Sequence, residues 1–303
     1  MSNSSTESDA GIGVGQHCVV IGASHAGAQL VASLRQEKWA GKITLIGDEQ
    51  ALPYHRPPLS KAYLAGDKTE SDILIRPQSF YEKNDIDVKL GVRVENIDRV
   101  AKTIRLNDGS DLSYDKLALA TGADVRRLPI PGSDLAGVHY LRDMADVNGI
   151  MPLAKEGSSA VIIGGGYIGL ETAASLRKKG MKVTVLEAMS RILQRVTTEE
   201  LSNFYQRIHT EEGVDIRTEQ TIAAIEGEGN VSAVKFADGS ELAADLVIIG
   251  VGVIPNTGLA EKAGLEVGNG IIVDEFATTA DPDIVAAGDC TWHLNGVYKR
   301  EMR

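Results

Sequence analysis

Residues Ala160–Glu187 read AVIIGGGYIGLETAASLRKKGMKVTVLE. A short apolar, β-prone run, Ala160–Ile163, enters Gly164-Gly165-Gly166-Tyr167-Ile168-Gly169. A helical pattern follows, with Ile168, Leu170, Ala173, Ala174 and Leu176 on its apolar side, and a second strand, Val183–Leu186, ends at Glu187. Strand, glycine turn, helix, strand and terminal acid together make a dinucleotide-binding βαβ unit. Gly164 permits the tight strand-to-helix turn, Gly166 lets the backbone approach a pyrophosphate, and Gly169 permits close helix–strand packing. The helix N-terminus offers unpaired N–H groups and a positive dipole end to the phosphates. Glu187, about twenty residues on, can accept hydrogen bonds from the hydroxyls of an adenosine ribose.

The same plan occurs earlier in the chain. Cys18–Ile21 enters Gly22-Ala23-Ser24-His25-Ala26-Gly27, a helix runs to about Lys38, and Ile43–Ile46 leads to Gly47-Asp48-Glu49. Ser24 replaces the second glycine; it is small and its hydroxyl can bond phosphate. Asp48 is the candidate ribose acid, with Glu49 as competitor, and His25 reads as facing the turn. After each unit comes a strand-rich insertion with a matching turn, Asn107-Asp108-Gly109-Ser110 and Ala237-Asp238-Gly239-Ser240. Each insertion is followed by an apolar strand ending in glycine, KLALATG and LVIIGVG. This internal repeat predicts an α/β chain of two Rossmann-like dinucleotide-binding domains, each with a β-rich insertion. The expected boundaries are a disordered tail at 1–16, a discontinuous first dinucleotide-binding domain at 17–125 plus 256–303, and a second at 126–255. Asp283–Asp289 (DIVAAGD) ends by bringing a carboxylate to the ligand edge of a sheet.

Composition sets limits. The net charge of −11 argues against nucleic acid and against anionic membrane surfaces as partners. No apolar run reaches spanning length, and the first sixteen residues lack the basic start and apolar core of a signal peptide. The two cysteines, Cys18 and Cys290, form no CxxC and read as small buried hydrophobes. The histidines show no metal-ligand spacing, so no metal is expected. A reducing cytoplasm is the expected compartment.

The combination of PYHRPPLSK (53–61), LALATGA (117–123), GGGYIGLE (164–171), VGVIPNT (251–257) and AAGD (286–289) resembles the glutathione-reductase-like flavoprotein reductases with two dinucleotide domains. Within these it is similar to the bacterial FAD-dependent ferredoxin and rubredoxin reductases of oxygenase systems, the putidaredoxin reductase-like group. The resemblance runs from His17 to near the end. It implies that FAD sits in the first unit at Gly22, Ser24, Ala26 and Gly27, with Asp48 on the ribose and Val94 at the adenine. It further places Ala120, Thr121, Gly122, Arg56, Lys61, Arg142 and Asp289 along the cofactor. NADH would lie on Gly164, Gly166, Ile168 and Gly169, with Glu187 on its ribose and Gly252 beside it. Tyr167 and Glu171 would stand near the nicotinamide, and a Lys61–Glu171 pair would flank the flavin; these three carry the expected catalytic roles. The group continues beyond this point with a closing helix and an α+β interface domain, which this sequence is read as lacking.

The chemistry so implied is hydride transfer from NADH to FAD, then single-electron release to a 2Fe–2S ferredoxin or a rubredoxin. The cofactor carries such a reaction while the protein supplies placement and electrostatics. Ser60 stands where disulfide-bearing relatives hold a cysteine, so electrons leave directly to an external acceptor. Glu187 favours NADH over NADPH by repelling a 2′-phosphate, an argument tempered by Arg191 and Arg195 nearby. The alternatives are an NADH-dependent reductase of a small radical or quinone, as in monodehydroascorbate reductase, and a non-catalytic flavin/NAD sensor of the apoptosis-inducing-factor type.

Overall fold

The computed structural model describes residues 11–302. Its contacts divide the chain into two units. One holds the residues up to His55, Leu74–Ala123 and Pro255 onward; the other holds Arg56–Ile73 and Asp124–Ile254. The proline-framed segment Arg56–Ile73, which lies within the sequence span 17–125, therefore counts with the second unit.

Each unit is built on a five-stranded parallel sheet. In the first, the spatial order is Ile284–Ala286, Lys116–Leu119, His17–Ile21, Lys42–Ile46, Ile86–Lys89. In the second it is Val214–Arg217, Lys182–Leu186, Ser159–Ile163, Leu246–Ile249, Val138–Tyr140. Four of the five positions of the plan repeat. The outer strand beside the post-insertion strand differs in origin: the first unit takes it from downstream sequence and the second from upstream.

The central strands are apolar throughout because both faces are covered. Side chains alternate between faces, so Val19 and Ile21 enter a core with Ile97, Ile104 and Leu265. Cys18 and Val20 enter another with Val31, Leu45 and Tyr81 on the helical side. In the second unit Val161 and Ile163 pack with Val234, Phe236 and Val247. Each insertion is a three-stranded antiparallel sheet: Val94–Asp98, Thr103–Leu106 and Asp111–Ser113 in one unit, Ile222–Glu226, Ala233–Phe236 and Glu241–Ala243 in the other.

The repeated turns are built alike. Asp108 Oδ1 accepts from Ser110 N (2.8 Å) and Oγ (2.6 Å), and Asp238 Oδ1 from Ser240 N (2.9 Å) and Oγ (2.6 Å). The intervening glycines take φ +83° and +86°, a left-handed conformation that glycine adopts without steric cost.

Of the expected tail, residues 1–10 lie outside the described residues. Residues 11–16 form turns held by Ala40 N donating to Ile12 O (2.8 Å) and Lys42 N to Gln16 O (2.9 Å). Cys18 and Cys290 are both buried, and burial pushes the Cys18 thiol up to about 11. Among the described residues no helix is long and apolar enough to cross a membrane, and no group of three acidic, cysteine or histidine side chains is placed to hold a metal.

Candidate dinucleotide sites

The second unit's cradle follows from its glycines, each for a different reason. Gly164 sits at φ +116°, and a Cβ there would lie 2.3 Å from Gly250 O on the neighbouring strand. At Gly169 a Cβ would lie 2.2 Å from Gly164 O, so helix and turn can touch only through glycine. Gly166, the N-cap of helix Tyr167–Lys178, has an ordinary φ of −81°, and among the described residues its Cβ would meet nothing within 4 Å. Packing among the described residues does not demand glycine at 166. Gly165, to which the sequence assigned no role, is demanded by packing: a Cβ would lie 2.7 Å from Ile192 Cγ2.

These residues line a cavity of about 430 Å³ together with Ile168, Glu187, Met189, Leu193, Arg195, Gly252 and apolar strand ends. Its mostly apolar wall with few polar groups suits the adenine and nicotinamide rings of a dinucleotide. Glu187 is held at the rim: Oε2 accepts from Gly165 N (2.8 Å) and Oε1 from Met189 N (2.9 Å). A carboxylate oxygen has two lone pairs, so each keeps acceptor capacity for a ribose hydroxyl. Gly252 (φ +107°) also leaves the space beside it open among the described residues.

Two details are added here. Ile168, read both as part of the helix's apolar side and as a cradle residue, is 43% exposed and lies in the cavity wall, whereas Leu170, Ala173 and Leu176 form the packed stripe. The reason is its position in the first turn, level with the strand ends rather than the sheet face. Arg191 does not offer a phosphate site: its guanidinium donates to Thr198 O, Ser202 Oγ, Gln194 O and Thr197 O. Ser202, fully buried, donates its own hydroxyl hydrogen bond to Ile192 O at 2.7 Å. Arg191 therefore shapes the wall that carries Arg195. No sequence signal distinguishes the two arginines.

In the same unit Lys61 Nζ meets Glu171 Oε2 at 2.5 Å. Ser60 Oγ donates to the same oxygen at 2.7 Å. Tyr167, at the helix start, packs edge-on against Tyr205 with ring centroids 6.3 Å apart. Arg56 Nη1 donates to Arg142 O at 2.7 Å, and Asp146 Oδ2 accepts from Arg142 N (2.7 Å) within the capping box that opens helix Met144–Ile150. The structure thus brings Lys61 to Glu171 and Arg56 to Arg142. Burial and the neighbouring Asp143 raise the Asp146 carboxyl above its ordinary range.

The first unit's cradle repeats the steric logic. Gly22 has φ +117° with a would-be Cβ 2.0 Å from Ala120 O, and at Gly27 the clash is with Gly22 O at 2.0 Å. Ser24 takes the N-cap place of helix His25–Gln36 in extended conformation, as Gly166 does in the second unit. Ala26 lies beside the turn carrying Asp289: a Cβ on Gly288 (φ +87°) would be 3.0 Å from Ala26 Cβ. Asp48 pairs with Arg93 at 2.9 Å, next to Val94, so the expected ribose acid and adenine contact share one rim. Its competitor Glu49 accepts the Tyr54 hydroxyl at 2.5 Å. Ala120 N donates to Ile21 O (2.7 Å), and Thr121 and Gly122 are joined to Asn256 by three hydrogen bonds. His25 is exposed, its ring 5.5 Å from that of His55.

Two glycine-turn cradles on parallel sheets, one with an acid-rimmed cavity, define a dinucleotide-dependent oxidoreductase fold. The chain belongs to the pyridine nucleotide-disulphide oxidoreductase family, which it matches over residues 16–302. It is 44% identical over 285 residues to a ferredoxin–NAD(P)+ reductase of a Sphingomonas species, covering 94% of this chain and 69% of that protein. It is 42% identical over 291 residues to putidaredoxin reductase of Pseudomonas putida, covering 94% and 69%. Rhodocoxin reductase of Rhodococcus erythropolis is 44% identical over 273 residues, covering 90% of this chain and 64% of the relative. Among solved structures, a covalent putidaredoxin reductase–putidaredoxin complex superposes with a TM-score of 0.93 at 41% identity, over 95% of this chain and 70% of that one. The chain thus spans about two thirds of the length of these relatives.

Proposed function

We propose that this protein takes hydride from NADH onto FAD and passes electrons singly to a 2Fe–2S ferredoxin or a rubredoxin that feeds an oxygenase, in the cytoplasm. The carrying observation is the Gly164–Gly169 cavity, with Gly166 open toward the ligand and Glu187 fixed at the rim. The names of the matched relatives, ferredoxin, putidaredoxin and rubredoxin reductases, support the acceptor class. They do not favour a radical or quinone reductase or a signalling flavoprotein.

FAD supplies the conversion of a two-electron donor into single electrons. This chain's residues supply binding and orientation. Gly22, Ser24, Ala26 and Gly27 would hold its pyrophosphate, Asp48 its ribose, and Asp289 a polar position near the helix start. Val94, Ala120, Thr121, Gly122, Arg56 and Arg142 would bind along the rest. On the NADH side Gly164, Gly166, Ile168, Gly169 and Gly252 shape the cavity and Glu187 selects the unphosphorylated ribose. Lys61, Glu171 and Tyr167 would stand at the reacting rings. There the ion pair keeps each charge compensated.

The test is spectroscopic. The purified protein should show flavin absorbance that anaerobic NADH bleaches, and reoxidation should be faster with a purified ferredoxin or rubredoxin than with a quinone or ascorbyl radical. Absence of bleaching with FAD bound, or faster reoxidation by the quinone, refutes the proposal.

A further inference from the structure

Ser60 has no role in the hydride or electron chemistry described above, yet it is 4% exposed and bonded at two points. Its hydroxyl donates to Glu171 Oε2 at 2.7 Å, and its carbonyl accepts from Ser175 Oγ at 2.7 Å. Glu171 and Ser175 are four residues apart on helix Tyr167–Lys178, hence on one face. That face presents an acceptor and a donor that match the donor and acceptor of Ser60, which orients the serine hydroxyl at the carboxylate.

The same oxygen, Glu171 Oε2, also takes the Lys61 ammonium at 2.5 Å, while Lys61 Nζ lies 3.2 Å from Pro57 O. Lys61 is the more exposed partner, its side chain 47% exposed against 33% for Glu171, and its stem is the longer and more flexible one. An ammonium that turns to a new acceptor abandons its carboxylate. Here a second donor, anchored through its own carbonyl by Ser175 Oγ, stays.

We infer that Ser60 is a positioning residue: it holds the Glu171 carboxylate independently of Lys61, so that Lys61 can exchange Glu171 for an acceptor on the bound dinucleotide. This rests on the reading that Lys61 and Glu171 stand at the reacting rings.

Two measurements test it. The first needs no turnover: thermal midpoints of wild type, Ser60→Ala, Lys61→Met and the double variant. With Ser60 present, Lys61→Met should cost little. With alanine at 60 it should cost about 1–2 °C more, because the partly exposed carboxylate then keeps only water as a donor. Equal losses in the two backgrounds overturn the inference. The second is stopped-flow reduction of the FAD-loaded protein by NADH. Ser60→Ala should lower the limiting rate about tenfold with an unchanged half-saturating NADH concentration, and Ser60→Thr should restore most of it. If Glu171→Gln slows reduction and Ser60→Ala does not, the Ser60 inference fails alone. If Lys61→Met and Glu171→Gln both react at the wild-type rate, the placement of the pair at the rings fails, whatever the midpoints show. Should Ser60→Ala not fold, Ser60→Cys, close in volume but a weak donor, takes its place in both measurements.

Discussion

Replacing Gly166 and Gly164 by alanine adds the same methyl group to two adjacent walls of one turn, and the structure gives opposite outcomes. Gly166 has φ −81° and ψ 177°, a conformation open to any residue, and among the described residues its added Cβ meets nothing within 4 Å. Gly166→Ala should therefore fold as well as wild type or better, since alanine restricts the unfolded chain by about 0.4–1 kcal/mol. The methyl would nonetheless project into the cavity where a pyrophosphate must come within hydrogen-bond distance of the backbone. A tenfold loss of NAD+ affinity, about 1.4 kcal/mol, is the least expected. At Gly164 the methyl would sit 2.3 Å from Gly250 O at φ +116°, combining a clash with a backbone conformation that costs a residue with a side chain about 1–3 kcal/mol. With relief available only by moving the strand Leu246–Ile249, a total of about 3 kcal/mol or more is expected, which lowers the midpoint by roughly 6–12 °C. Titration calorimetry with NAD+ and a thermal melt on both variants decide the matter. Wild-type NAD+ affinity in Gly166→Ala, or a wild-type melt in Gly164→Ala, refutes the assignment of ligand approach to one glycine and close packing to the other.

Other expectations are independent of that one. Glu187→Gln should lower the NADH-to-NADPH ratio of kcat/KM about ten- to hundredfold, since a unit charge near a phosphate is worth about 1–4 kcal/mol between water-like and protein-surface screening. Arg191→Ala should lower both kcat/KM values and leave their ratio unchanged, its guanidinium being spent on the 194–202 segment; a changed ratio would show Arg191 reaching the ligand. Tyr81 is 2% exposed and its hydroxyl has no hydrogen-bond partner among the described residues. Tyr81→Phe should therefore raise stability by about 1 kcal/mol in a denaturant titration, and a loss of that size would reveal an unseen partner. Lys102 and Lys116 hold the Asp283 carboxyl down to about 2. Its contribution is present above the ordinary carboxyl value and lost as pH falls from about 4 to 2. Asp283→Asn should lower the midpoint at pH 7, and the gap to wild type should close by about pH 2.

Much of the fold was legible because its determinants are local. A residue at positive φ, or a backbone that must touch another backbone, admits little but glycine, so Gly22, Gly27, Gly164 and Gly169 mark both cradles wherever the chain later packs. The Asp-Gly-Ser turns carry their own hydrogen bonds, and apolar runs such as Ser159–Ile163 follow from strands covered on both faces. For Ile168 periodicity alone pointed to the packed side and only the resemblance pointed to the cradle, because helical periodicity tells which side of a helix is apolar, not whether the first turn meets a sheet or a cavity. The interior edge of the carboxylate rim was also hidden: the bonds from Gly165 N and Met189 N to Glu187 depend on how the second strand's end comes to lie against the turn.

The amino-acid sequence by itself determined two glycine-turn cradles and their order, because backbone sterics and strand periodicity act over a few neighbouring residues. Only the tertiary structure decided which charged groups are at work and which are already engaged. Ser60 and Lys61 meet Glu171 across 111 and 110 positions of chain. Arg191 is engaged by the loop it clamps, while Arg195 is left in the cavity wall. Such pairings arise when distant segments are brought within bonding distance by the burial of apolar side chains that themselves carry no charge, and a one-dimensional pattern holds no record of that distance.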